Sequence, residues 1–394
     1  MNIRYLFSSP EGDIALQPEE LSRPFLIAPA TPHPSLLLKD YFESIRAFVL
    51  GKHAGAFISV LEQCFKKKID LSDIREISIR SEKHGVLYHL ASIEIQTNGR
   101  HIKLSVSTAV SEKTAAWLRK ECDILNFLNR SFSPSFLPRV YFSGEINRRA
   151  RDNTQQKLFM CLSEWFEDFH EWHLSVDKAD NRQKVCIWDQ QHGNRYASPE
   201  EAFEIFRQAS KILTLYYDTA TFHHIYPWHH AAGDFVVRTV HGNIEVKLTT
   251  ARNYASVLSS LHEITANPGI AIIYFLLNMS IRMRLDKLDG VGKTLWAGSF
   301  AAEAAVKGFF DALRIMEAGG RYRLGKVGDL HALLKSFNVE ELETLFHPLL
   351  CSYQHENPAD LAVIKGNLKS HVQELHRSLH TDFPDERGED LAGL

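Results

Sequence analysis

The chain has 394 residues, 44% of them hydrophobic, more than one core usually organises, so two or three packed units are expected. With 45 basic and 48 acidic residues the formal charge is −3, which leaves no global electrostatic case for nucleic acid or an anionic membrane as partner. The cysteines (Cys64, Cys122, Cys161, Cys186, Cys351) are scattered and odd in number, which argues against a disulfide framework or a close-spaced zinc site; reduced, buried thiols are expected. The first twenty residues lack a long apolar core, and the most apolar run, residues 269–279, is far shorter than the roughly 20 residues a bilayer needs. These features predict a soluble, cytoplasmic protein with no membrane partner.

Residues 1–34 contain Pro10, Pro18, Pro24, Pro29 and Pro32, and no sustained period. Proline fixes φ and removes a backbone donor, so an extended arm is expected there. Leu38, Tyr41, Ile45 and Val49 then fall near helical spacing, and a second helix is expected over 54–67; residues 1–70 thus read as an arm plus a helical extension. From Ile74 the period changes to two. Strand-like runs cover 77–79, 87–95 and 102–106, the last two separated by Thr97-Asn98-Gly99-Arg100, a strong hairpin signal. A helix follows over 114–129, with Trp117, Leu118, Glu121, Leu125 and Leu128 read as one face. Strands are expected at 136–144 and 157–165, joined by a solvated loop. Residues 71–165 therefore read as an antiparallel sheet with one helix inserted after its third strand, and the fold class as α+β.

Pro199 to Phe222 reads as a helix, with Ser198 as its cap. The stretch after it, Thr221 to Arg238 (TFHHIYPWHHAAGDFVVR), crowds His223, His224, His229, His230, Trp228 and Asp234 together, too much polar chemistry for an ordinary connector. Runs at 235–240 and 244–250 flank His241-Gly242-Asn243 as a hairpin. Residues 254–379 read as almost wholly helical, within a larger helical unit over 166–380, and 381–394 as a polar tail. Gly290-Val291-Gly292-Lys293-Thr294 ends like a phosphate-binding loop, but Lys287 occupies the place of its first glycine. The histidine pairs are six apart, and adjacent side chains on a helix do not face each other, so a zinc site is disfavoured and His223 and His224 read as helix-end packing.

This order, with these residues, resembles the protein-kinase-like superfamily, closest in style to the aminoglycoside and choline phosphotransferases, over roughly residues 74–330. The resemblance implies a two-lobed fold, a small sheet lobe with one helix and a larger helical lobe, preceded by an N-terminal extension. It implies ATP and magnesium as cofactors. Glu121 matches the helix glutamate that pairs with a strand lysine. The lysine's own place falls on Ser105, with Lys103 on the same strand face if the register shifts. The nucleotide-covering loop is represented by Ser81-Glu82-Lys83-His84-Gly85, with one glycine. Leu162-Ser163-Glu164-Trp165-Phe166 resembles the hinge, where backbone groups near Glu164 and Phe166 would meet an adenine. Gly233-Asp234-Phe235 resembles the end of the catalytic loop, placing Asp234 at a metal-ligand position and His229 at that of the catalytic aspartate. A histidine can serve as general base. The second metal-binding carboxylate is replaced by Lys247 or Thr249, and Lys247 could substitute positive charge for a metal. Three readings stay open: a pseudokinase-type module binding a nucleotide, metabolite or protein; a divergent ATP-dependent small-molecule phosphotransferase with His229 as base, Asp234 on magnesium, and Glu121 paired with Lys103 or Lys247; and an assembly protein keeping only the fold.

Overall fold

A computed structural model describes all residues except 10–11, 29–30, 85–86, 150–154, 190–191, 231–232, 261–266, 357 and 382–394. Gly85, part of the 150s loop and nearly all of the expected polar tail therefore lie outside the described residues. The protein is α+β, and the chain divides into two compact units, Met1–Asn129 with Pro138–Glu167 and Arg130–Leu137 with Asp168–Leu394.

The first unit is built on a sheet of order β2-β1-β5-β6-β7-β9-β8. Its strands are β1 (Asn2–Ser9), β2 (Gly12–Ala15), β5 (Ile74–His84), β6 (His89–Thr97), β7 (Arg100–Ala109), β8 (Val140–Arg149) and β9 (Gln155–Glu164); β3 (Pro24–Ala28) and β4 (Thr31–Leu37) form a separate ribbon. The expected arm is corrected here. β1 pairs in parallel with β5, Ile3 opposite Ile77 and Tyr5 opposite Ile79, so the first residues extend the sheet. The prolines stand outside β1, which leaves its donors available to the ladder. Helices α1 (Pro18–Leu21), α2 (Leu38–Ala47) and α3 (Ala54–Phe65) complete this N-terminal part. Phe42, Ile45, Phe57 and Leu61 of α2 and α3 share one core with Ile77, Ile93 and Leu104 of the sheet. The pair is bent and apolar enough together to pass for a broken span, yet these side chains are spent in the core; no single helix among the described residues is long and apolar enough to cross a membrane.

The Asn98-Gly99 turn joins β6 to β7 in continuous register. Helix α4 (Glu112–Ser131) follows, burying Ala115, Leu118, Glu121, Cys122, Leu125 and Leu128. Trp117 is 44% exposed, which corrects its expected place on the inner face: it stands one residue, about 100°, from Leu118.

In the second unit a sheet of order β12-β11-β10-β14-β15 joins β10 (His170–Asp177), β11 (Arg182–Trp188), β12 (Arg195–Tyr196), β14 (Phe235–Val240) and β15 (Asn243–Leu248). Helix α5 (Pro199–Leu215) starts at a capping box: Ser198 Oγ accepts from the Glu201 N–H at 3.1 Å, and the Glu201 carboxylate accepts from the Ser198 N–H at 2.9 Å. It ends sooner than expected. Asp218 gathers the Ala220 N–H and the Thr221 hydroxyl, both at 2.8 Å, which turns the chain out of the helix. His223 and His224 then lie on β13 (His223–Ile225), paired with β16 (Tyr254–Ser256), and not at a helix end. The C-terminal part is not wholly helical either, since β17 (Leu285–Lys287) and β18 (Thr294–Trp296) make a hairpin around the Gly290–Lys293 segment. Its helices are α6 (Pro268–Arg282), α7 (Phe300–Ala318), α8 (Val327–Ser336), α9 (Val339–Leu345), α10 (His347–Glu356) and α11 (Pro358–His380). Helices α5 and α7 cross so closely that a Cβ on Gly308 would stand 2.1 Å from the Arg207 carbonyl oxygen, a place only glycine fits.

Candidate functional site

The loop between β13 and β14 carries His229 and Asp234, two of the residues singled out in the sequence. Asp234 is 1% exposed, and its carboxylate is fully engaged. Oδ2 accepts from the His229 N–H at 2.8 Å and from Arg252 Nη1 at 2.6 Å, and Oδ1 accepts from Arg252 Nη2. A bidentate guanidinium–carboxylate pair is among the strongest side-chain contacts, and a buried carboxylate without such a partner is costly. The Asp234 carbonyl is held as well, accepting from the Thr249 N–H at 2.7 Å and Oγ1 at 3.2 Å. The aspartate thus closes its own loop from position 229 to 234 and ties it to the segment after β15.

His229 lies half-buried in this loop. Burial, and then the cations Arg282, Lys287, His173 and Arg252, push its imidazole down to about 3. It is neutral at physiological pH and a weak base. His230 is 2% exposed and enclosed by Trp172, Phe206, Trp228 and Phe235, with ring centroids 4.4–5.6 Å away, so burial keeps it neutral too. Lys247 donates to the Ser135 carbonyl at 3.3 Å and lies 5.3 Å from the centre of the Phe136 ring. Those contacts hold its charge beside the 130–137 segment of the same unit.

A second polar group stands against this loop. Gly233 has φ +66°, and a Cβ there would meet the Glu171 carboxylate at 2.6 Å, so only glycine lets the strand β10 acid approach the loop backbone. Two residues along β10, His173 sits between Glu171, 3.7 Å from Nε2, and Asp286, 3.6 Å from Nδ1. These separations are ion pairs and too long for hydrogen bonds. Burial alone would lower the His173 pKa; Asp286 and Glu171 outweigh it and raise it to about 9. Asp286 is itself fixed by the N–H groups of Leu174 and Lys287, both at 2.7 Å. Among the described residues no group of three or more His, Cys, Asp or Glu side chains is arranged to hold a metal ion.

In the first unit the residues singled out in the sequence fall into three contact sets. Register sets Ser105 opposite Ser92 and Ser163, and Lys103 opposite Glu94, on the same face of β7. Ser105 Oγ lies 2.7 Å from Ser163 Oγ and can donate to the Ser163 or the Glu164 carbonyl at 3.2 and 3.1 Å. The Glu164 N–H is taken by the Arg139 carbonyl at 2.8 Å, and its carboxylate accepts from the Arg139 N–H at 3.2 Å. Lys103 reaches Glu82 at 3.1 Å and lies 3.9 Å over the Trp165 ring. Phe166 is half-buried just beyond β9. Glu121, 4% exposed on α4, accepts from the Tyr88 hydroxyl. Lys103 and Glu121 are thus each served by a neighbour of their own.

Sequence reasoning missed Arg252, Tyr88 and the Glu171–His173–Asp286 group, and named Glu82 only as part of a loop and not as the partner of Lys103. The run Glu171-Trp172-His173-Leu174, which alternates titratable and apolar side chains on one strand, is a signal that could have found the Glu171–His173–Asp286 group. No known family model matches the chain, and no curated protein matches it.

Proposed function

We propose that this protein is a kinase-like module with a locked catalytic loop, which binds a nucleotide or related metabolite and transfers no phosphate. The element order from β5 onward supports the kinase-like reading: three strands, a helix and two strands, then, after strands β10–β12, a helix and a polar loop that precedes the β14–β15 hairpin. The observation that carries the loss of activity is the Asp234 carboxylate. Arg252 occupies both its oxygens and the His229 N–H shares one, so magnesium could be bound there only by breaking a buried ion pair. Phosphoryl transfer relies on metal to neutralise the charge between phosphates, and a base titrating at about 3 has too little proton affinity to draw a proton from a hydroxyl acceptor. Retained binding is favoured by the first unit, where Lys103 keeps a cation over an indole face and Ser105 lines the last residues of β9.

The test is a product-resolved assay of the full chain with ATP, magnesium and a panel of amino- and hydroxyl-bearing small acceptors. No phosphorylated product and no ADP above a heat-treated control is the expected result. Steady turnover that disappears in Asp234→Ala would establish the phosphotransferase reading instead.

A further inference from the structure

Helix α4 buries one apolar stripe and exposes large apolar side chains along another. The inner stripe is Ala115, Leu118, Cys122, Leu125 and Leu128. The outer stripe runs through positions 113, 117, 120, 124 and 127, spaced alternately four and three residues apart, so it follows one face for nearly four turns. Along it stand Lys113, Trp117, Lys120, Ile124 and Phe127. Trp117 is 44% exposed and Phe127 is 51% exposed, and Ile124 between them is half-buried. Single exposed apolar residues are ordinary; an indole, a phenyl ring and an isoleucine aligned on one helix face form a patch that water solvates poorly.

The charge along the stripe selects what would cover it. Lys113 holds its ammonium 5.2 Å from the Trp117 ring centre, and Lys120 lies one turn further on; both are exposed. The exposed acids of the helix, Glu112 and Asp123, lie about a quarter-turn off the axis of the stripe, Asp123 flanking Lys120 and Phe127. The stripe is therefore apolar with its positive charge on its own line. A helix offering apolar side chains at the matching three–four spacing, edged with Asp or Glu, would bury the aromatics and pair the lysines.

We infer that this face of α4 docks an acidic amphipathic helix of a partner protein. The inference is independent of whether the module binds a nucleotide. The test is selection of a displayed random-peptide library on the full chain, followed by fluorescence anisotropy with an enriched, labelled peptide. Enrichment of acidic sequences with apolar residues at three–four spacing is expected. Trp117→Ala and Phe127→Ala should each weaken that peptide roughly tenfold, as aromatic anchors do. The double change Lys113→Glu and Lys120→Glu should abolish the preference for acidic peptides, and added salt should weaken binding to the parent chain. All these positions are exposed, so thermal melting should match the parent. No enrichment, enrichment of basic or neutral peptides, or binding indifferent to Trp117→Ala would overturn the inference. So would a dimer in sedimentation that Trp117→Ala breaks, which would make a second copy the occupant. Peptide-free binding to phosphatidylserine vesicles with the same dependence on Trp117 and the lysines would assign the face to a membrane instead.

Discussion

The two units treat their candidate residues differently. In the first, Lys103 rests on an indole and the Glu82 carboxylate, and Ser105 shares a hydroxyl contact with Ser163; none of these is a bidentate pair. In the second, Asp234 is 1% exposed and held through both oxygens by Arg252. A group held by exchangeable contacts can bind, whereas one buried in a bidentate pair serves the fold. On the proposed function the same kinds of residue answer to different demands, ligand capture in the first unit and, through the Asp234–Arg252 pair, loop closure in the second.

The largest effect should come from breaking the clamp. Arg252→Ala leaves a buried carboxylate without its guanidinium, and a loss on the order of 3 kcal/mol is expected, seen as a lowered midpoint in urea unfolding. Asp234→Asn should cost less, because its amide keeps an oxygen for the His229 N–H and leaves no buried charge. Equal, negligible losses in both would mean that Asp234 is not structural, and the contrast between the units would fall.

Acid comes next. His224 is pushed down to about 4 by burial, and burial with nearby cations pushes His229 and His371 to about 3; all three belong to the second unit. In the unfolded chain they take up protons near 6.5. Their contribution is fully present above pH 6.5 and is lost as pH falls toward 4, by about 3 kcal/mol or more in all. Tryptophan fluorescence across pH 7 to 4 should show this loss, and His371→Phe should reduce it.

A smaller effect belongs to alkaline pH. Because the His173 pKa is raised to about 9, the stability it supplies is complete below 6.5 and is lost as pH rises through 9. His173→Gln should flatten the melting temperature between pH 7 and 10, at a loss of about 1–2 kcal/mol at pH 7. The smallest change in stability is expected from Lys103→Met, about 1 kcal/mol, because Arg80 and the Ser92 hydroxyl still serve the Glu82 carboxylate. Its effect should fall on ATP affinity, read by calorimetry.

Local chemistry made part of this legible. The Asn98-Gly99 turn, the α4 and α5 helices and the hairpin at His241-Gly242 follow from residues adjacent in sequence. The parallel pairing of β1 with β5 did not, because its partners are separated by strands β2, β3 and β4 and helices α1, α2 and α3, and no turn signal links them. Trp117 was misplaced because a wide apolar stripe admits either neighbour of Leu118 until the sheet beneath it is known. Asp234 was legible as a special residue, since an acid between a glycine and an apolar run asks for a partner. That the partner is Arg252 depends on how the chain leaves β15, which no periodicity encodes.

Calorimetric titration of the full chain with ATP, once with magnesium and once with EDTA, tests the division between the units most directly. Binding of the same affinity in both conditions, lost in Lys103→Met and kept in Asp234→Ala, is the predicted result. Binding that requires magnesium and vanishes with Asp234→Ala, or no binding of ATP in either condition, would contradict it.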